Sequence, residues 1–380
     1  MSLRRMRAVM RKEALHILRD PRSLYMALAV PVILLVFFGF ALSLDVDRIP
    51  TLIHDADSSP QSRDLIARFL GSRFFAVQGY VTDGREIERA IDRNKILMGI
   101  SIPRDYGRQV LAGREAEVQI LIDGSDSNTA GIALGYAEGV VRTYAFELRR
   151  KGLARKGGAS SAPLAPPVEA RFRVWYNSQL QSKNYVVPGL IAVILMIIAA
   201  LLTSLTIARE WETGTMEQLL STPVRPAELV LGKMLAYFAV GVIDSLIAVG
   251  IGLVVFKVPF RGNPLVLIIS ACIFLVGALF WGIFLSAVTR NQLLAFQAGL
   301  ISSFLPAFLL SGFVYAIEGM PVVVQAISYI FPTRYFVSTL KGVFLKGVGP
   351  EVLWVEGIFL IAFSILVFVA AVRKLRGKLA

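Results

Sequence analysis

The chain has 380 residues, of which 55% are hydrophobic and only 18% charged, an apolar excess that a water-soluble chain could not bury in one or two domains. Its single cysteine, Cys272, excludes a disulfide framework or a thiolate metal site built within the chain. The formal charge of +13 reads as a signal of membrane orientation before nucleic-acid binding, because the basic residues flank apolar runs instead of gathering on one face.

Residues 1–23 are predicted as a cytoplasmic amphipathic helix. Leu3, Met6, Met10, Ala14 and Ile17 recur at three- and four-residue steps while Arg4, Arg7, Arg11 and Lys12 fall on other faces, the pattern of a helix lying in the headgroup layer. Pro21 is expected to end it. The apolar run 24–44 follows as the first span. It is too long for the core of a cleaved signal, and no small-x-small site precedes Asp45 and Asp47, so it is expected to stay as an anchor.

Residues 45–185 exceed what a connecting loop needs and are patterned as a folded α/β domain. Strand-like stretches at 50–54, 74–80, 96–102 and 118–122 alternate with helix-like stretches at 61–70, 84–93 and 104–112. A longer helix is expected over 128–150. A flexible Gly/Ala/Ser/Pro linker is expected near 152–170, then a strand on which Phe172, Val174 and Tyr176 alternate with Arg171, Arg173 and Trp175.

Residues 186–380 carry five more apolar runs, at 186–207, 229–256, 265–288, 293–317 and 352–372. A run of about 20 residues at about 1.5 Å rise covers the roughly 30 Å hydrocarbon layer, so the expected fold class is an α-helical integral membrane protein of about six spans with an inserted extracytoplasmic α/β domain. The outer segment near 318–351 holds an apolar piece, 322–331, too short to cross and bounded by Pro321 and Pro332, read as re-entrant or interfacial. With both termini inside, the cytoplasmic segments hold 15 basic residues and the short outer loops hold five, Lys257, Arg261, Arg334, Lys341 and Lys346, which obeys the positive-inside rule.

Catalytic patterns are scarce. The only histidines, His16 and His54, fall on opposite sides of the membrane in this topology, which removes His-based metal clusters and Ser-His triads. Gly232-Lys233 and Gly377-Lys378 lack the rest of a Walker A loop, so any ATP that drives this chain binds elsewhere. Asp244 stands deep in the third run, where an ionised carboxylate costs about 2.5–3.5 kcal/mol; it serves translocation, or it makes a structural hydrogen bond to a Ser or Thr of a neighbouring helix. Ala278, Gly282 and Ser286 in the fourth run, and Ala295, Gly299 and Ser303 in the fifth, are small residues at four-residue spacing that let helix backbones approach, within the chain or at a subunit interface.

The most informative stretch runs from Arg209 to Arg225. It includes Arg209, Glu210, Trp211, Glu212, Thr213, Gly214, Thr215, Met216, Glu217, Leu219, Leu220, Thr222 and Pro223. Thr213 or Thr215 is expected to cap a short helix whose apolar side carries Met216, Leu219 and Leu220, ended by Pro223. Such a helix facing the cytoplasm suits a groove on a partner, or is merely a solvated loop helix.

Continued through Leu231-Gly232-Lys233, this stretch resembles the signature of the type-two ABC exporter permeases. The resemblance extends to Lys12-Glu13 with Arg19-Asp20-Pro21, Asp123-Gly124-Ser125-Asp126, Tyr185-Val186-Val187-Pro188-Gly189, Ser311-Gly312-Phe313 ahead of Glu318-Gly319-Met320-Pro321, and Pro332-Thr333-Arg334-Tyr335 near Leu345-Lys346-Gly347. Ser178, Ala236 and Ala316 stand where relatives would carry proline.

The resemblance implies an exporter in a bacterial cytoplasmic (inner) membrane, made of two permeases and an ABC ATPase pair, with ATP and Mg on the ATPase and no cofactor on this chain. It makes residues near 209–222 the coupling helix and Lys12, Glu13, Arg19, Asp20 and Pro21 a second contact. On that reading, charge reversal at Glu210 or Glu217, or Leu219→Asp, uncouples ATPase stimulation in a permease that still folds. A periplasmic adaptor and membrane lipid are further implied partners; nucleic acid is not. The alternative is a membrane-anchored sensor or assembly factor using the outer domain for binding, although six spans exceed what an anchor requires. A secondary transporter would need more intramembrane ionisable groups than Asp244.

Overall fold

A computed structural model of the chain describes residues 2–42, 48–125, 127–155 and 181–376. Contacts divide the chain into two compact units, one of residues 44–173 and one of everything before and after. The larger unit begins with α1 (Leu3–Arg19) and α2 (Pro21–Ala41). Pro21 does end α1 as expected, and it does so by opening α2, where a missing N–H removes no helical bond.

The smaller unit runs β1 (Ile49–Asp55), α3 (Pro60–Leu70), β2 (Phe75–Val81), α4 (Gly84–Asp92), β3 (Met98–Ile102), α5 (Tyr106–Leu111), β4 (Gln119–Ile122) and α6 (Ser127–Arg155). Its sheet has the order β2-β1-β3-β4, with the first three strands parallel and β4 antiparallel to β3. Helix starts are set locally: Ser59 Oγ accepts from the Ser62 N–H at 3.1 Å and Asp83 Oδ1 from the Arg85 N–H at 3.0 Å. Ile53, Leu65, Phe69, Met98 and Ile100 fill the core between sheet and helices. The strands and helices predicted here are present within a few residues. The helix predicted over 128–150 continues through Arg155, so the first positions of the expected linker are helical; the rest of that linker and the strand expected at 172–176 lie outside the described residues.

The larger unit resumes with α7 (Ser182–Glu212), α8 (Thr215–Leu220), α9 (Pro226–Val254), α10 (Pro264–Thr289), α11 (Gln292–Leu309), α12 (Val322–Ser328), α13 (Pro332–Lys341) and α14 (Pro350–Arg376). Among the described residues five helices, α7, α9, α10, α11 and α14, are long and apolar enough to cross a membrane. Helix α2 has 21 residues, with a shorter apolar stretch at Ala27–Ala41.

Helix α7 is the centre of this unit. Its apolar core stretch is 83% buried, against 22% for α11 and α14, and it packs on α2, α9, α10, α11 and α13. Both rows of small residues are spent here. A Cβ added at Gly282 would lie 2.3 Å from the Ala200 carbonyl oxygen, and one at Gly299 3.1 Å from Ser204 Oγ, so each row seats its helix on α7 inside one chain. Ser286 Oγ accepts from the Ile207 and Ala208 N–H groups at 2.9 and 2.8 Å, placing a side chain of α10 on the backbone of α7.

One boundary differs from the sequence reading. The run expected to reach 317 ends as helix at Leu309, and the chain then turns through Gly312 at φ 76°, a conformation glycine adopts without strain. In the outer segment α12, the piece read as re-entrant or interfacial, leaves Val322 and Val323 largely exposed, and α13, just beyond Pro332, buries Tyr335, Phe336, Val337 and Leu340 within the protein. Length and Pro boundaries identified a short helix but not which of the two packs inward.

Candidate coupling site

The elbow between α7 and α8 forms because Gly214 stands at the α8 N-cap with φ 71°, the left-handed region that lets the chain reverse in one residue. Neither threonine caps α8, contrary to the sequence expectation: Thr213 Oγ1 donates to the Arg209 carbonyl at 2.8 Å, finishing α7, and lies 3.0 Å from Thr215 Oγ1. Nor does the apolar side of α8 point outward. Met216 is 2% exposed and belongs to the core, with Leu219 packed against it. The exposed positions are Glu212, Thr213, Gly214, Thr215, Glu217, Gln218, Ser221, Thr222 and Pro223; the side chain of Leu220 lies outside the described residues.

Beside the elbow, four charges from three helices meet. Lys233 of α9, 1% exposed, places Nζ 2.8 Å from Glu13 Oε1 of α1 and 3.0 Å from Glu210 Oε1 of α7. Lys12 Nζ lies 2.5 Å from Glu210 Oε1 and 3.2 Å from Glu13 Oε1. Two cations and two anions balance, which is what makes so buried a lysine tolerable. Burial alone would raise the Glu13 carboxyl, but the Lys233 ammonium and its hydrogen bond outweigh burial and hold it below the usual carboxylate range. Glu210 Oε2 is left without a hydrogen-bond partner.

In this arrangement Glu210, one of the residues that the resemblance assigns to coupling, is buried. Helix α1 lies along α9, burying Val9, Glu13 and Ile17, while Leu3 of the predicted apolar stripe is 78% exposed. The start of α1 is tied as well, through the Ser2 N–H to Glu228 Oε1 at 2.6 Å and Arg5 to the Pro223 carbonyl. Arg209 Nη1 lies 3.2 Å from His16 Nε2, and the Arg290 guanidinium stacks 4.4 Å from the Trp211 ring.

Of the residues singled out from sequence, the structure therefore gathers Lys12, Glu13, Arg209 and Glu210. Arg19 remains exposed, and Asp20 and Pro21 form the corner between α1 and α2. Asp244, eleven residues beyond Lys233 on α9, is 2% exposed and neither of its oxygens has a hydrogen-bond partner, so the bond to a Ser or Thr, one of the two sequence alternatives, is not made. Sequence reasoning counted Lys233 as a topology charge and left it out of the site. A lysine inside an apolar helix needs a buried counter-charge, and that requirement was the available signal. Among the described residues no group of three or more His, Cys, Asp or Glu is placed to hold a metal.

Five helices long and apolar enough to cross a membrane, packed around a central one that ends in an exposed elbow, define a multi-pass membrane protein. The family model described as "ABC-2 family transporter protein" matches residues 21–373. The probable multidrug ABC transporter permease YbhS of Escherichia coli is 37% identical over 368 residues, covering 96% of this chain and 95% of that protein. The probable multidrug ABC transporter permease YbhR of the same organism is 31% identical over 350 residues, covering 92% of each. The linearmycin resistance permease protein LnrN of Bacillus subtilis is 24% identical over 378 residues. This chain belongs to the ABC-2 transporter family. It is the membrane-spanning permease of an ABC exporter, and a separate subunit hydrolyses the ATP. Membership implies an ATPase partner and pairing of permeases, and gives no support to the sensor or assembly-factor alternative.

Proposed function

We propose that the chain spans the bacterial cytoplasmic membrane six times, α2 being the first span, with both termini cytoplasmic and the smaller unit outside. On this reading α8 and the turn before it, residues 209–222, are the coupling helix that docks on the ATPase, and α1, through Lys12, Glu13, Arg19, Asp20 and Pro21, adds a second contact. The observation that carries the reading is the continuity of α7: one helix of 31 residues runs from the bundle centre to Glu212 and the exposed elbow. Closure of the ATPase pair on α8 must then move a helix packed on α2, α9, α10, α11 and α13, which turns a local push into a tilt of spans. The exposed row Thr215, Glu217 and Gln218, not the buried apolar side, is the docking face.

Cargo leaves towards the outer face, where a periplasmic adaptor would take it from the smaller unit. Relatives are named for multidrug transport and for resistance to linearmycin, and an apolar or amphipathic cargo suits the uniformly apolar spans here. Membrane lipid is the solvent for the exposed apolar faces of α11 and α14.

The test is reconstitution of the permease with its ATPase in vesicles. Glu217→Lys is expected to leave the permease folded and to cut cargo-stimulated ATP hydrolysis by roughly tenfold, a 1.4 kcal/mol loss of contact. Undiminished stimulation, or labelling of residue 217 by an impermeant reagent from the outer side, would remove the assignment.

A further inference from the structure

The end of α7 opposite the elbow is held by a second contact, of a different kind. Tyr185 Oη donates to the Gly312 carbonyl at 2.9 Å. Lys341 Nζ donates to the same carbonyl at 2.7 Å and sits 3.5 Å from the centroid of the Tyr185 ring. Gly312, at φ 76°, is the point where the chain turns after α11. Phe313 next to it is 2% exposed and fills the space over Gly189 of α7, where a Cβ would lie 2.3 Å from the ring. Helices α7 and α13 are thus tied to the α11 turn through one carbonyl oxygen.

The chemistry of this tie differs from the cluster at Lys233. Lys341 is half-buried and makes no ion pair among the described residues; a carbonyl and an aromatic face satisfy it instead. A long flexible ammonium held that way can swing to water and exchange both contacts for hydration, leaving no stranded counter-charge. Lys233 cannot let go without leaving two buried carboxylates to share the single charge of Lys12. One end of α7 is clamped, and the other is fastened by a contact that can open.

We propose that Lys341 is a positioning residue of the transport cycle: its ammonium latches the Tyr185 end of α7 to the Gly312 carbonyl and holds the outer exit shut until α7 tilts. This rests on α7 acting as the lever described above, and its test does not involve the ATPase. Ser311, 2% exposed, adjoins the latch. Ser311→Cys is placed in a Cys272→Ser background, and its rate of reaction with a water-soluble maleimide is measured on the whole permease in detergent, where both faces are reachable. The cysteine is expected to react slowly with the latch intact and roughly tenfold or more faster in Lys341→Met, as for any site exposed only by local opening. Lys341→Arg, which can still donate to the carbonyl and stack, keeps the slow rate, and Tyr185→Phe, which loses one donor, falls between.

An unchanged rate in Lys341→Met overturns the proposal. So does an equal acceleration at Ser286→Cys, a fully buried site near the elbow end of α7, because that would mean general loosening. Undiminished ATPase stimulation in Glu217→Lys together with the expected acceleration in Lys341→Met would sink the lever reading alone, and reduced stimulation in Glu217→Lys with an unchanged rate in Lys341→Met would sink the latch alone.

Discussion

Val9 of α1 lies directly on Gly232 of α9: a Cβ added at Gly232 would stand 2.7 Å from Val9 Cβ and 3.0 Å from the Met6 carbonyl oxygen. Because a backbone atom is among the obstacles, no rotamer change makes room. Gly232→Ala is expected to lift α1 from α9 at a cost of about 1–3 kcal/mol, the usual range for overpacking. Hydrogen exchange should quicken along α1 and stay unchanged in α10; uniform protection in the variant would contradict the close packing.

Lys233 holds two buried carboxylates at once. Lys233→Met should destabilise the permease by about 3–5 kcal/mol, the cost of leaving buried charge uncompensated, read as a lowered unfolding temperature in detergent. Adding Glu13→Gln and Glu210→Gln to it removes the stranded charges and should recover most of the loss. No recovery in the triple variant would mean that Lys233 acts through its own packing and not through its charge.

Glu210 and Glu217 were equivalent by sequence and are not in the structure. Glu210→Lys brings three ammonium groups together beside a lone Glu13 and should prevent stable folding. Glu217→Lys, on an exposed helix face, should shift stability by about 0.5 kcal/mol or less while reducing coupling to the ATPase. Equal unfolding temperatures for the two variants would refute the buried placement of Glu210.

The attachment of α1 should depend on pH in a direction fixed by Glu13. Its carboxyl is held below the usual carboxylate range by Lys233 and Lys12 against the opposing effect of burial, so its stabilisation is complete above the unfolded-state pKa and is lost as pH falls through the lowered folded value. Lys12 is shifted upward: burial opposes, and the Glu210 hydrogen bond with the two carboxylate charges prevails, so its share is lost only as pH rises beyond the usual lysine range. Amide exchange of α1 should therefore stay slow through neutrality and quicken below the usual carboxylate range. Glu13→Gln should abolish that acid limb, and an acid limb unaltered by the substitution would assign it elsewhere.

Asp244 is buried in α9 with both oxygens unpartnered. An ionised carboxylate at a helix centre costs about 2.5–3.5 kcal/mol and an amide costs less, so Asp244→Asn is expected to raise the unfolding temperature. A fall would show that the carboxylate has a partner in the assembled transporter. Transport by the variant then separates roles, since full activity in a more stable protein leaves Asp244 no part in translocation.

The helices and strands were legible because each follows from local periodicity and local punctuation. Pro226, Pro264 and Pro350 open helices, and the parallel strands of the smaller unit read as short apolar runs between turn residues. The site was legible only as separate pieces. Lys12-Glu13 and Arg209-Glu210 were each noted, yet nothing in their spacing showed that Glu13 and Glu210 share Lys233, some two hundred and some twenty residues further along the chain. The capping of α8 was misassigned because Thr-Gly-Thr offers two plausible side-chain caps, and the choice fell to the φ of Gly214.

Apolar runs of bilayer length, a one-sided distribution of basic residues and the order of motifs follow from the composition of short windows. Membrane insertion and helix formation depend on just that information, so the sequence by itself determined the class of the protein. Which face of α8 is free, why α1 lies on α9 and which glutamates are buried were decided by tertiary structure. Those outcomes turn on pairing charges and seating glycines between distant segments, and such energies exist only once the helices have met.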